Sequence, residues 1–206
     1  MFYLATTRFT NATWKENCAY RAKYLSDTSS AKCIYLSQFP MDARIPKKAN
    51  ILVVEMNNET NRILGLGWIQ NVPISQKYRV YSKEEYNRYA FLGKYRLDRK
   101  DITDRELLAK LEQYCFYGKG HQKRLRGITR IPPLKFVQWC VEHWNYNDND
   151  DAKNDDNDDN DDNDDEDDED EEEKKKKKKP FEVPLLPDVT RRIQNEFKLR
   201  FALSDN

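Results

Sequence analysis

The chain of 206 residues has few of the residues and motifs from which enzyme active sites are commonly built. Its two histidines are His121 and His143. A serine or cysteine triad would need one of them, and neither lies near a recognisable nucleophile motif. There is no Walker A sequence, and Gly65-Leu-Gly67 lacks the third glycine and following helix of a dinucleotide-binding fingerprint. We therefore predict no catalytic residues and no cofactor, and an enzyme such as a small hydrolase is the third and least favoured hypothesis.

Cysteine is also scarce. The four cysteines, Cys18, Cys33, Cys115 and Cys140, lack the density of a secreted disulfide framework. This favours a reducing compartment and buried free thiols. Cys140-Val-Glu-His143 has the C-x-x-H form, but a zinc site needs two more ligands, which the other cysteines could supply only through the fold. We predict no metal site.

Long apolar runs are missing. No segment approaches the roughly 18 apolar residues that a membrane-spanning helix needs. Residues 1–8 are too short and too polar for a signal peptide and are typical of a β-strand. The sequence predicts an intracellular protein, in the cytoplasm or nucleus, without a membrane partner. The lysine run at 174–179, which ends at Pro180, resembles a nuclear import signal, and a homopolymer without a role is the alternative.

Acidic and basic residues are equally frequent, 36 of each, but they are segregated along the chain. Residues 147–173 hold 14 Asp and 5 Glu, and Lys153 and 174–179 account for 7 of the lysines. The rest of the chain has 29 basic and 17 acidic residues, a net charge of +12. Such an excess favours a polyanionic partner, nucleic acid before an anionic membrane surface. A solvated basic surface without a partner is the alternative.

Composition divides the chain into three parts. Residues 1–146 are predicted to form a basic globular domain, 147–179 a disordered acidic and then polylysine tract, and 180–206 an extended segment and a C-terminal helix. The helix has an apolar stripe that needs cover from the main domain or from a partner. The stripe consists of Val189, Ile193, Phe197 and Phe201.

Hydrophobic periodicity predicts an α+β domain. Its clearest element is a β-hairpin with strands at 51–56 and 62–70. Other strands are predicted at 2–8, 32–37, 77–81, 89–97 and before 131, and helices at 14–25, 104–114, 134–144 and 189–203. Candidate N-caps are Asn11 or Thr13 for the first helix and Thr103 for the second.

Gly65 and Gly67 lie at alternate positions of the second hairpin strand and therefore on one face. Two missing side chains on one face indicate a close backbone approach, a bend or a bulge. The space could admit a ligand, or the glycines could serve the curvature of a barrel.

The loop at 119–130 is the strongest candidate binding site. Glycines let a backbone approach phosphates closely, and clustered cations neutralise phosphates by releasing counterions. Three glycines, at 118, 120 and 127, accompany the cations of the loop. These cations are Lys119, Lys123, Arg124, Arg126 and Arg130.

Segment 78–99 interleaves tyrosine and phenylalanine with arginine and lysine, including Arg88 and Tyr89. Aromatic surfaces beside cations suit the stacking of single-stranded or extruded bases. In the alternative interpretation, the aromatic side chains belong to the core and the cations to the wet face of a strand.

The order of an N-terminal strand, Trp14 near a turn, a helix and the hairpin that contains Ile63-Leu-Gly-Leu-Gly-Trp-Ile69 resembles the PUA-like superfamily, closest to its EVE and YTH branches. The resemblance covers residues 1–131. It implies a small β-barrel with flanking helices that binds RNA or modified bases, often in an aromatic cage. Trp14 and Trp68 would then be cage walls, and core positions for both are the alternative.

The hairpin and Tyr86-Asn-Arg-Tyr89 also resemble a protein group of large DNA viruses. Asp/Asn and lysine homopolymer runs suit an AT-rich genome of that kind. This resemblance implies a viral protein in the cytoplasm or nucleus of a host cell.

These observations predict a non-catalytic protein that binds RNA, single-stranded nucleic acid or a modified base. The predicted interface is the 119–130 loop with an adjacent aromatic pocket. The acidic tract would act in cis as a phosphate mimic, and a codon-repeat expansion without a role is the alternative. The alternative is a non-enzymatic interaction or virion-associated protein that docks partner proteins with its basic face and C-terminal helix.

Overall fold

The computed structural model describes residues 2–25, 30–118, 120–132, 136, 139 and 186–203. These residues form an α+β structure, which confirms the predicted class, and the C-terminal helix is present. In chain order the elements are β1 (Phe2–Phe9), α1 (Asn11–Tyr24), β2 (Cys33–Ser37), β3 (Asn50–Asn57), β4 (Arg62–Gln70), β5 (Tyr89–Gly93), β6 (Tyr95–Asp98), α2 (Arg105–Phe116), β7 (Thr129–Arg130) and α3 (Leu186–Phe201). Short 3-10 turns occupy Glu84–Asn87, Arg99–Asp101 and Gln122–Arg124. The tract at 147–179, and the helix predicted at 134–144 apart from Phe136 and Trp139, lie outside the described residues.

The strands form two sheets. The larger has the order β6-β4-β3-β1-β7, and the smaller pairs β2 with β5. Within the larger sheet β1 and β3 run parallel, whereas the other neighbours are antiparallel. The described strands do not close into a barrel, because β6 and β7 are the two edges of the larger sheet. The closed barrel implied by the family resemblance is therefore wrong for this part of the chain.

The predicted hairpin is confirmed as β3 and β4. Glu55 lies opposite Gly65, and the register shifts between Glu55 and Met56. Met56 pairs with Ile63, so Leu64 is the extra residue of a bulge. The bulge lies beside the glycine pair that drew attention in the sequence.

The strand predicted at 89–97 is two strands in different sheets. A Cβ at Gly93 would lie 2.2 Å from the carbonyl oxygen of Trp68. Glycine therefore allows the chain to pass β4 at this corner and to cross from the smaller sheet to the larger. A single straight strand was the wrong prediction because this contact joins residues far apart in sequence.

The strand predicted at 77–81 is also wrong. The Asn87 side-chain oxygen accepts hydrogen bonds from the backbone N–H groups of Val80 and Tyr81, each at 3.0 Å. Its amide nitrogen donates to the Tyr81 carbonyl at 2.7 Å. One side chain thus satisfies backbone groups that a strand would have paired, and the segment is a loop.

Both helix starts differ from the prediction. The N-cap of α1 is Thr10, whose hydroxyl accepts from the Thr13 N–H at 3.2 Å, while the Thr13 hydroxyl accepts from the Thr10 N–H at 2.9 Å. The N-cap of α2 is Asp104, which accepts from the Leu107 N–H at 2.9 Å. Thr103 instead donates its hydroxyl to Glu196 of α3, a contact that sequence spacing cannot reveal.

The larger sheet has two packed faces. On the first, called the α2/α3 face, apolar side chains of β3 and β4 meet α2 and α3. On the second, called the α1 face, the sheet meets α1 and the smaller sheet. Val189, Ile193 and Phe197 are each at most 1% exposed, so the main domain covers the stripe of α3. No helix among the described residues is long and apolar enough to cross a membrane.

Candidate functional site

A cleft of about 450 Å³ opens on the α1 face, where the ends of β1 and β2 meet the first turn of α1. The 3-10 turn at 84–87 and the 119–130 loop complete it. We call it the basic cleft. Its lining includes Arg8, Thr10, Thr13, Ser37, Phe39, Asn58, Tyr86, Arg126 and Gly127.

Two arginines give the basic cleft its charge. Burial lowers the pKa of Arg8, and the positive charge of Arg126 lowers it further. Arg126 and Glu85, which also lines the cleft, are both exposed to solvent, whereas Arg8 is partly buried. Since two like charges oppose each other in a partly buried place, an anion between them would relieve their repulsion.

The 119–130 loop is fixed against the cleft by its backbone. The Lys123 carbonyl accepts from the Arg8 guanidinium at 2.6 Å and from the Asn58 amide at 2.9 Å. Gly127 has a φ of 68°, and a Cβ there would lie 2.3 Å from the Ser37 hydroxyl oxygen. Glycine is therefore needed both for the backbone conformation and for the close approach to β2.

The lining of the cleft also includes an aromatic ring. The Tyr86 ring lies edge-on to Tyr81, with 6.2 Å between centroids, and the Lys83 ammonium lies 5.8 Å from the Tyr86 centroid. The side-chain oxygen of Asn58 is buried and has no hydrogen-bond partner among the described residues. Phe39 at the rim is 40% exposed. The two arginines suit the phosphate of a nucleotide, and the aromatic ring suits its base.

The predicted loop cations have different positions. Arg126 lines the cleft, and Lys123 holds the loop through its carbonyl. Arg124 is exposed, whereas Arg130, in β7, is half-buried and its Nε has no hydrogen-bond partner among the described residues. Lys119 lies outside the described residues.

Arg88 and Tyr89 are not lining residues of the basic cleft. Arg88 is exposed and directly follows the 3-10 turn. Tyr89 begins β5 and is partly buried against the core of the α1 face. In segment 78–99, Tyr81 and Phe91 are buried, so the core interpretation is right for them.

Trp14 and Trp68 lie on opposite faces of the larger sheet and cannot form one cage. Trp14 packs on Phe9, with 5.1 Å between centroids, beneath the guanidinium groups of Arg21 and Arg96. Trp68 is on the α2/α3 face. The predicted cage of both tryptophans is therefore wrong, because side chains on opposite faces of a sheet cannot line one pocket.

Trp68 lies among aromatic rings of three elements. Its centroid is 4.9 Å from that of Phe2 and 5.8 Å from that of Phe197, and its indole N–H donates to Asn50 at 3.2 Å. It also lines a second cleft of about 680 Å³, between the β4–β5 corner and α3. This cleft is separate from the basic cleft and is lined by none of the loop cations.

The glycine pair of β4 makes room for a buried polar cluster. A Cβ at Gly67 would lie 1.8 Å from the Tyr35 hydroxyl oxygen, and one at Gly65 would lie 2.7 Å from a Glu55 carboxylate oxygen. Glu55 accepts from Tyr35 at 2.7 Å and from Arg96 at 2.9 and 2.7 Å. Protein side chains therefore fill the space in which a ligand was conceivable.

The Glu55–Arg96 pair is almost dry, with side chains 1% and 4% exposed. Burial opposes the charge on Arg96, but the adjacent Glu55 carboxylate outweighs burial, so the pKa of Arg96 is raised. Burial also raises the pKa of the neighbouring Cys33 thiol to about 12. Cys33 and Cys115 are buried and free as predicted, whereas Cys140 and His143 lie outside the described residues.

Two residues of the basic cleft were missed in the sequence, Arg8 and Asn58, whereas Tyr86 belongs to the aromatic segment 78–99 identified there. Arg8 is the next-to-last residue of β1 and Asn58 directly follows β3, so both lie at the end of a strand. Their position at strand ends could have identified them as candidates, because strand ends from distant parts of the chain can bring their side chains to one site. Only the fold brings Arg8 beside a loop more than a hundred residues away.

A scan against protein-family models and searches of curated proteins and solved structures found no match to this chain.

Proposed function

We propose that the chain is a non-catalytic nucleic-acid-binding protein whose basic cleft takes one nucleotide of a single strand, RNA in preference to DNA. The observation that carries the proposal is the convergence of Arg8, Arg126 and Tyr86 on one cleft. The arginines would hold a phosphate, and the Tyr86 ring would contact the base.

The size and chemistry of the cleft support this proposal. A cavity of about 450 Å³ lies within the range of small-molecule sites and is too small for a duplex. A base can enter such a space only when it is unstacked, as in single strands, loops or extruded nucleotides. The parallel β1–β3 pair with α1 beside it, and a site at the end of β1, remain compatible with an open variant of the PUA-like architecture.

The acidic tract is part of the same proposal. Residues 147–173 carry 19 acids on the chain that also carries the cleft. Tethered carboxylates have a millimolar effective concentration at the basic surface and would compete with phosphates there. They would suppress weak, non-specific binding more than binding of a preferred ligand.

A salt titration with labelled single-stranded oligonucleotides tests the cleft. We expect Arg126→Ala to weaken binding and to reduce the slope of log K against log salt by about one. Arg126→Lys should keep most of the slope. The matched control is Arg105→Ala, which removes an exposed arginine on α2, far from the cleft. Equal slopes for Arg126→Ala and the parent would remove the cleft from the interface.

Deleting residues 147–179 tests the tract. The deletion removes acids and polylysine together, so it does not simply leave a basic arm on the protein. We expect tighter binding of non-specific oligonucleotides, most clearly at low salt, since such attraction is screened beyond about 10 Å at 0.1 M salt. If the parent binds no oligonucleotide while its fold is intact, an interaction or virion-associated role for the basic face becomes the better proposal.

A further inference from the structure

A row of five tyrosines, in two groups of contacting rings, lies along α1 and the loop at 77–86. We call it the tyrosine row. Its members are Tyr86, Tyr81, Tyr78, Tyr20 and Tyr24. Tyr86 and Tyr81 line the cleft, and the other three lie beyond it.

Specific contacts hold the loop alongside α1. The Tyr81 hydroxyl accepts from the buried Asn17 amide at 3.3 Å, and Glu16 accepts from the Ser82 N–H at 3.0 Å. Tyr78 then meets Tyr20 with 6.4 Å between ring centroids. The loop therefore runs along the helix, with its Tyr86 end at the first turn of α1 and its Tyr78 end at the last.

The far end of the row is a platform open to solvent. Tyr20 and Tyr24 lie 4.6 Å apart between centroids, and Tyr24 is 53% exposed. The Lys23 ammonium lies 4.9 Å from the Tyr24 centroid. Rings beside cations suit stacked bases.

The charge around the row favours a polyanion. Helix α1 and the loop at 77–86 together have six basic and three acidic residues. Two of the acids are already engaged: Glu16 accepts from the Ser82 backbone, and Glu84 pairs with Arg79 at 3.3 Å. The pairing of Glu84 with Arg79 cancels one charge of each sign, and the two segments keep a net charge of +3 that favours a bound strand.

The spacing of the row sets the length of the strand. Thr13 at the cleft and Tyr24 on the platform lie on one stripe of α1, eleven residues apart. A rise of about 1.5 Å per residue separates them by about 16 Å. At about 3.4 Å per stacked nucleotide, this distance corresponds to about five nucleotide steps.

We infer that the Tyr20–Tyr24–Tyr78 platform is a second subsite, where bases of a single strand stack about five nucleotides from the nucleotide held in the basic cleft. This inference rests on the proposed function and extends it. The cleft supplies phosphate contacts and holds one base, and the platform adds stacking without base selection. Affinity should therefore rise with strand length until the strand reaches the platform.

The test uses the full-length chain with fluorescein-labelled oligouridylates of three and nine nucleotides at low salt. Tyr24→Ala should weaken binding of the nonamer about fivefold or more and leave binding of the trimer unchanged. A fivefold loss is at the low end of the contribution that stacking of one base on an aromatic ring makes to affinity. Tyr24→Phe keeps the ring and should bind like the parent. Tyr117→Ala, which removes a tyrosine of similar exposure (56%) at the end of α2, is the matched control.

Arg126→Ala separates this inference from the proposed function. If Arg126→Ala weakens both oligonucleotides while Tyr24→Ala weakens neither, the platform is overturned and the cleft stands. If neither oligonucleotide binds the parent, both proposals fall. An oligoglutamate of equal charge that loses affinity to the same extent on Tyr24→Ala would also overturn the platform, because it has no bases to stack. Melting temperatures of all variants exclude unfolding as the cause.

Discussion

The two faces of the five-stranded sheet are completed in different ways. The α2/α3 face is largely apolar and is covered by the C-terminal helix, with polar contacts at its margin and the second cleft beside α3. The α1 face contains a dry ion pair at Glu55 and Arg96 and a row of tyrosines, and it ends in an open cleft lined by two arginines. Both faces therefore carry an opening, but the arginines lie in the cleft of the α1 face, whereas the second cleft is lined mainly by apolar and aromatic side chains and by Lys94 and Lys198.

The two faces share one sheet, so each constrains the other. Alternate residues of β3 point to opposite sides, with Leu52 and Val54 on one face and Val53 and Glu55 on the other. The apolar face fixes the position of the strands, and the strand ends then position the cleft residues. Changes on either face therefore test whether this division of roles is correct.

The largest expected effect is on the α1 face. Arg96→Met leaves the Glu55 carboxylate buried without its cation, and breaking a buried pair in this way costs about 3–5 kcal/mol. Denaturant unfolding followed by circular dichroism measures the change. A loss below about 1 kcal/mol would mean that water reaches Glu55 and that this face is less dry than the side-chain exposures indicate.

The double variant Glu55→Gln/Arg96→Met isolates the charge. It removes both charges, and an uncharged amide can still accept the Tyr35 hydrogen bond. We expect it to be more stable than Arg96→Met alone, since the unpaired charge is the main penalty. If the double variant is no more stable, the loss comes from packing around Trp14 and Arg96 rather than from electrostatics.

The next effect is on the α2/α3 face. Ile193 in α3 is fully buried, and Ile193→Ala should cost about 2–5 kcal/mol through lost burial and the cavity that remains. Leu199→Ala is the control, because Leu199 lies on the same helix and is 75% exposed. Equal stability of the two variants would show that α3 is not held on the sheet in solution, and the C-terminal helix would then be free to bind a partner.

Sequence patterns predicted the elements whose signals are local. The β3–β4 hairpin was found because strand alternation and a turn lie within about twenty residues. The stripe of α3 was found because helical spacing places Val189, Ile193 and Phe197 on one side. Strand 77–81 was not a strand because a single asparagine, Asn87, captured its backbone groups.

The candidate site was only partly predictable for the same reason. Composition identified the 119–130 loop, and Arg126 of that loop lines the cleft. Arg8 could not be assigned, since its relation to the loop depends on a hydrogen bond between residues 8 and 123. The glycine pair correctly indicated a close approach, but only the fold identifies the approaching group as Tyr35.

A smaller effect on stability is expected at two glycines with positive φ, and comparing them separates backbone strain from the contact between Gly127 and Ser37 that shapes the cleft. Gly118 and Gly127 have φ angles of 74° and 68°, but a Cβ at Gly118 meets nothing within 4 Å, whereas one at Gly127 meets Ser37. Gly118→Ala should cost about 1–2 kcal/mol from left-handed backbone strain alone. Gly127→Ala should cost more and should also weaken oligonucleotide binding. Ser37→Ala should restore part of both losses in the Gly127→Ala background, and no restoration would exclude the contact as their cause.

The smallest expected effect concerns the polar margin of the α2/α3 face and depends on pH. Arg192 of α3 donates to the Asp104 carboxylate at 2.7 and 2.6 Å, and these hydrogen bonds lower the pKa of Asp104. A carboxyl whose pKa is lower in the folded state stabilises the fold above its unfolded pKa of about 3.9, and this stabilisation is lost as the pH falls through the folded value.

The pair of Arg192 and Asp104 is partly exposed, so we expect Arg192→Ala to cost only about 0.5–1 kcal/mol at pH 7. At a low pH at which Asp104 is protonated in the folded state, the parent and Arg192→Ala should approach equal stability in urea unfolding. Arg191→Ala, which removes the exposed neighbouring arginine on the same helix, should leave the free energy of unfolding nearly unchanged at both pH values. A loss on Arg192→Ala that is equally large at both pH values would mean that Arg192 holds α3 by packing, and the margin would then be no more electrostatic than the core it surrounds.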